Sequence, residues 1–138
     1  ANIPFTQGLN NHMGSALTEQ ALPMLWTMDV AKELELFFVD SRTSATSVAW
    51  QQAIAQNVPT LKRDVFLDND TSTEALEIQF QQAMDVARKN KFAVLIGHPY
   101  PETIAFLSQS LGKLDEAGIK LVSASALIEL LKPHLDTL

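Results

Sequence analysis

The chain has 138 residues, 46% of them hydrophobic, with sixteen acidic against ten basic side chains and a net charge of −6. Such a length suits one globular domain able to bury about two-thirds of its unfolded surface; the acidic balance argues against a nucleic-acid partner, and no apolar run is long enough for a membrane span. The lack of cysteine excludes disulfides, zinc–thiolate sites and a thiol nucleophile.

In chain order, Leu9 to Met13 is predicted as a short strand, leading into "NNHMGS". A helix is predicted from Thr18 to about Glu33. Its Pro23 should mark the true first turn, since an interior proline costs about 3 kcal/mol. "ELFFV", Glu35 to Val39, is predicted as a strand ending at Asp40. Ala45 to Gln56 should be helical, and Thr60 to Arg63, after Pro59, a strand. In "TEALEIQFQQAMDVARKN", residues Leu76, Phe80, Ala83, Met84 and Ala87 fall on one stripe of a 3.6-residue period. Thr71 and Glu74 have the spacing of a capping box ahead of it.

"FAVLI", Phe92 to Ile96, is the clearest strand, and it ends on Gly97, His98 and Pro99. The next stripe, Ile104, Leu107, Leu111 and Leu114, has Pro101 at the first helical position and Gly118 just past the end. Ile119 to Val122, "IKLV", is predicted as a further strand, and Ser125 to Lys132 as a helix stopped by Pro133. Strands alternating with helices imply an α/β fold with a parallel sheet and right-handed crossovers. No linker or repeat divides the chain, so residues 1–138 are expected to be a single domain.

In parallel α/β folds the chemistry collects at the carboxyl ends of the strands. There the sequence puts Asn11 and His12, Asp40 and Arg42, Arg63 and Asp64, and His98. His12, Asp40 and His98 are expected to face one cleft. A neutral imidazole with two carboxylates can hold Zn²⁺ and leave a position for water. A second histidine can then serve as general acid or base. His12 and Asp64 are the candidate metal ligands, His98 and Asp40 the candidate catalytic pair, and Asn11, Arg42 and Arg63 the candidate substrate contacts.

Plainer roles stand beside these. Asp40 can hold the turn amides ahead of the next helix, Arg63 and Asp64 can form an ion pair, and His12 can make a loop hydrogen bond. Asp68 and Asp70 are expected to cap the helix that follows them. His134, at a helix end, is assigned no function. No HExxH, GxSxG, Walker or GxGxxG motif is present.

Taken together, "NNHMGS", "FFVDSRTS", "RDVFLDN" and "IGHPYPET" closely resemble the divergent polysaccharide deacetylase family, a mostly periplasmic branch related to the NodB-type carbohydrate esterases. The resemblance runs from about Leu9 to Ser125. It implies part of a distorted (β/α)7 barrel, a divalent metal such as zinc, and removal of acetyl groups from N-acetylated polysaccharide or peptidoglycan fragments. By it, His98 matches the strand-end histidine that acts as catalytic acid, Asp40 the later acidic motif, and His12 the metal or substrate edge.

The acidic pair found near the start of family members is missing here. The N-terminal strands are therefore expected to be absent, metal binding by this chain to be weak, and the open sheet edges to favour a homo-oligomer. The alternative is a catalytically inactive periplasmic carbohydrate-binding or regulatory domain that retains the fold.

Overall fold

Each strand pairs in parallel with its neighbour, and helices connect most of them. The computed structural model describes residues 3–135, with side chains through Leu131. In chain order the elements are β1 (Gly8–Asn10), α1 (Ser15–Thr18), α2 (Ala21–Glu33), β2 (Phe37–Asp40), α3 (Ala49–Ala55), β3 (Thr60–Lys62), β4 (Val65–Phe66), α4 (Thr73–Asn90), β5 (Leu95–Ile96), α5 (Pro101–Ser110), α6 (Lys113–Glu116) and α7 (Ala124–Leu135). This is the α/β architecture expected, with open sheets and no closed barrel among the described residues. Two units make it up: Ala1–Lys62 with Val122–Leu138, and Arg63–Leu121.

In the first unit the strand order is β1-β2-β3, with Gly8 opposite Phe37 and Phe38 opposite Thr60. Its core joins Met24, Met28 and Ala31 of α2 to Ala49 and Ala53 of α3, over Leu36, Phe38 and Val58. Each large apolar side chain buried there contributes about 1.5–3 kcal/mol. The helix expected from Thr18 to Glu33 begins at Ala21, after a separate short helix that ends at Thr18. Gln20 is extended between them, and Pro23 lies in the first turn of α2, where its missing N–H costs nothing.

The helix expected from Ala45 begins only at Ala49, because Asp40 holds the preceding residues in a loop through the Ser47 hydroxyl. The predicted strand Ile119 to Val122 does not form. Ile119 instead donates its N–H to the carbonyl of Leu114 at 2.8 Å, closing α6 over Gly118, whose φ of +69° is the left-handed conformation that glycine adopts freely. The helix after it does not stop at Lys132 but runs through Pro133, which removes one hydrogen bond of the last turn without ending it. The side chain of His134 lies outside the described residues.

The second unit is built on the parallel pair β4–β5, with Val65 opposite Leu95 and Phe66 opposite Ile96. Leu67, Leu76, Phe80, Met84, Phe106 and Leu114 form its core. Phe80 and Phe106 meet edge to face with centroids 5.7 Å apart, a favoured aromatic geometry. The stripe expected as one helix from Pro101 to just before Gly118 is divided into α5 and α6, with Leu111 and Gly112 between them. The cap of α4 is Ser72, whose Oγ accepts from Ala75 N at 3.4 Å, and not Thr71.

Candidate functional site

The second unit carries the best-defined cluster. Extending the β4–β5 register by two residues sets Asp68 beside His98. The His98 N–H donates to Asp68 Oδ2 at 2.5 Å, and His98 Nδ1 lies 3.1 Å from Asp68 Oδ1. Thr103, in the first turn of α5, donates its hydroxyl to Asp68 Oδ2 at 2.9 Å. The Asp68 side chain is 0% exposed and that of His98 is 26% exposed. A carboxylate buried this deeply needs such donors to replace water.

Gly97 makes the approach possible. A Cβ there would meet Asp68 Oδ2 at 3.1 Å. An ionised carboxylate only accepts hydrogen bonds, so the geometry assigns the proton to Nδ1, and the proton chemistry of the ring falls to Nε2.

The imidazole also has aromatic neighbours. Ring centroids of Phe66 and Tyr100 lie 5.5 and 4.9 Å from it. The Arg63 guanidinium stacks over Phe66 at 5.2 Å. Beside the pair lies an open cleft of about 600 Å³, lined by Asp68, Asn69, Asp70, Thr71, Tyr100 and Glu102. Asp70 Oδ1 accepts the Ser72 N–H at 2.8 Å, and the hydrogen bonds from Ser72 hold its carboxyl below the ordinary carboxylate range. Asp70 thus supports the start of α4, as expected. Asp68 does not, because its oxygens turn the other way, to His98 and Thr103. Asp64 Oδ2 accepts the Val94 N–H at 2.8 Å and ties the start of β4 to the strand beside it.

In the first unit, Asp40 ends β2 fully buried. Its Oδ1 accepts Arg42 N at 2.8 Å. Its Oδ2 accepts Ser47 Oγ at 2.9 Å and Trp50 N at 3.3 Å. Trp50 is in the first turn of α3, so the carboxylate caps that helix from a neighbouring strand end and suits its macrodipole. Arg42, at φ +47°, turns its guanidinium back to the Ala45 carbonyl at 3.0 Å. Asn11 Oδ1 accepts Ser41 N at 2.8 Å. With His12 it lines a second pocket of about 300 Å³, whose other walls include Leu9, Leu17, Met24 and Phe38.

The candidate residues therefore gather in two groups: Asn11, His12, Asp40 and Arg42 in one unit, Arg63, Asp64 and His98 in the other. Asp68, Thr103 and Tyr100 were missing from the sequence-based set. "VFLDN" and "LIGHP" carry the signal for Asp68, since two strands ending in the same register bring their second following residues together.

Among the described residues no group of three His, Asp or Glu side chains could hold an ion. The Asp68 oxygens are taken by His98 and Thr103, and Asp64 Oδ2 by an amide. The donor set described does not fit a divalent site by itself.

Comparison with known proteins gives the same family as the motifs. A family profile described as divergent polysaccharide deacetylase matches residues 1–128. The chain is 38% identical over 136 residues to the uncharacterized protein YibQ of Escherichia coli K12, covering 99% of this chain and 42% of that protein. It is 45% identical over 109 residues to an uncharacterized protein of Haemophilus influenzae, covering 79% of this chain and 39% of that one. The crystal structure of the uncharacterized protein ATU2773 from Agrobacterium tumefaciens C58 superposes with a TM-score of 0.85 at 26% identity, over 88% of this chain and 49% of that one. The chain thus spans about two-fifths of the length of these two sequence relatives.

Proposed function

We propose that this chain, which belongs to the divergent polysaccharide deacetylase family, supplies the proton-transfer groups of a hydrolase that removes acetyl groups from N-acetylated envelope glycans. The observation that carries the reading is the buried Asp68 carboxylate holding His98 by its Nδ1, beside a polar cleft at the ends of β4 and β5. Amide hydrolysis needs water to add at the acetyl carbon and a proton to reach the departing amine as the C–N bond breaks. Nε2 of His98 takes the proton that the adding water gives up and passes it to the departing amine, and the acetyl group leaves as acetate. A positioned acid of this kind is worth about 10²–10⁴ in rate.

Asp68 is a positioning residue that fixes the tautomer. Asp40 acts one step further back, by shaping the loop that carries Ser41 and Arg42. Asn11, Arg42 and Arg63 serve as substrate contacts in this reading.

Related deacetylases are expected to use a divalent metal, with His12 and Asp64 as this chain's candidates. The donors described do not make such a site, and no step above passes through a metal. The same observation favours a second reading, a carbohydrate-binding or regulatory domain that keeps the cleft without the chemistry. A periplasmic location and self-association through the edge strands β1 and β3 belong to the proposal too. No helix of the described residues is long and apolar enough to cross a membrane.

Acetate release from chitooligosaccharides and peptidoglycan fragments, with and without added zinc, tests the first reading. His98→Ala is expected to abolish release by the active protein. Sugar binding without acetate release under either condition would establish the second reading instead.

A further inference from the structure

We propose that Tyr100 is the platform on which a sugar ring lies in the cleft beside His98. The inference rests on the glycan-deacetylase reading and deepens it by naming a residue that selects the substrate. Tyr100 is 43% exposed, although its ring lies 4.9 Å from that of His98 at a tilt of 33°. Packing against the imidazole thus uses part of the ring and leaves much of it on the wall of the cleft.

The side chain is held on a stiff piece of backbone. Tyr100 is the N-cap of α5, at φ −70° and ψ 146°, with Pro99 before it and Pro101 at the first helical position. Proline at the following position favours this extended conformation, and proline on both sides limits the alternatives. A rigid aromatic loses little conformational entropy when a ligand settles on it.

The surroundings match the two-sided chemistry of a pyranose. Its C–H face is apolar and suits the body of an aromatic ring, whose hydroxyl remains at the wet end. Its rim of hydroxyls needs donors and acceptors, which Asn69, Thr71, Asp70 and Glu102 provide around the same cleft. Asp68, Asp70 and Glu102 are its lining carboxylates, and no Lys or Arg lines it among the described residues. Like charge then disfavours acidic sugars. The platform accordingly favours neutral saccharides, N-acetylated ones among them, over acidic ones.

Tyr100 is the single tyrosine of the chain, so ¹³C labelling of the tyrosine ring gives one local reporter. Titration with N-acetylated chitooligosaccharides is expected to shift its ring resonances, along the isotherm that calorimetry gives. Tyr100→Leu should weaken binding about tenfold or more, whereas the conservative Tyr100→Phe should stay within about threefold. Oligogalacturonate, which is acidic, should not compete. In protein that binds the sugar, a stationary Tyr100 ring or an unchanged Tyr100→Leu affinity overturns the platform and leaves the deacetylase reading standing. Failure of the wild-type chain to bind the neutral sugar overturns the platform and glycan recognition together.

Discussion

Asp68→Asn is the sharpest perturbation of the site. The change keeps the size of the side chain and one carbonyl oxygen. That oxygen can still accept from the His98 N–H and the Thr103 hydroxyl, which both use Oδ2 at present. The amide nitrogen then faces His98 Nδ1, now 3.1 Å from Oδ1. Two donors cannot share that contact, so the imidazole must move its proton to Nε2 or turn away. Losing one hydrogen bond to a charged acceptor costs about 1.5–3 kcal/mol. In a domain of this size, that lowers Tm by about 5–10 °C. The tautomer change matters more for chemistry, and acetate release should fall by about 10³–10⁴, as expected when a histidine is held in the wrong form. Long-range ¹H–¹⁵N correlation of the neutral imidazole reads the tautomer directly. Its expected position is Nδ1–H in the wild type and Nε2–H in the variant. An unchanged tautomer with a Tm shift below about 1 °C would refute the claim that Asp68 holds the ring.

Asp40→Ala should cost about 2–4 kcal/mol, since it strands the buried Ser47 hydroxyl and the half-buried Arg42 and Trp50 amides. Amide exchange should rise first at Arg42 and Trp50, ahead of α2. Asp70→Asn should alter the acid limb of stability. The folded carboxyl is depressed by the Ser72 hydrogen bonds from an unfolded value of 3.8. Its contribution is therefore complete above that value and lost as pH falls through the lower folded one. Acid titration of Tm should show a shallower decline in the variant, with the two curves converging at the lowest pH.

The alternation of apolar strands and amphipathic helices is written locally, and so was legible. "ELFFV" and "FAVLI" are runs short enough for strands and bounded by turn residues, although only Phe37–Val39 of the first and Leu95–Ile96 of the second pair with a neighbour. The stripe from Leu76 to Met84 can only bury itself along one side of a helix. The same logic placed Asp40 and His98 at strand ends, where β2 and β5 leave them. It failed at "IKLV", because an apolar run becomes a strand only if a neighbour accepts its hydrogen bonds. There the chain used its N–H to close α6 instead. It also overran α3, whose start is set by the carboxylate of Asp40, a residue of the preceding strand.

The roles of the two aspartates needed the tertiary structure for one physical reason. A carboxylate's function depends on which donors reach it, and those donors can be far away in sequence. Asp40 draws on donors up to ten residues ahead. Asp68 meets His98 thirty residues away, through a parallel register that no local spacing encodes. The sequence by itself determined that His98 would end its strand. Only the pairing of β4 with β5 decided that a buried carboxylate would be waiting for it there.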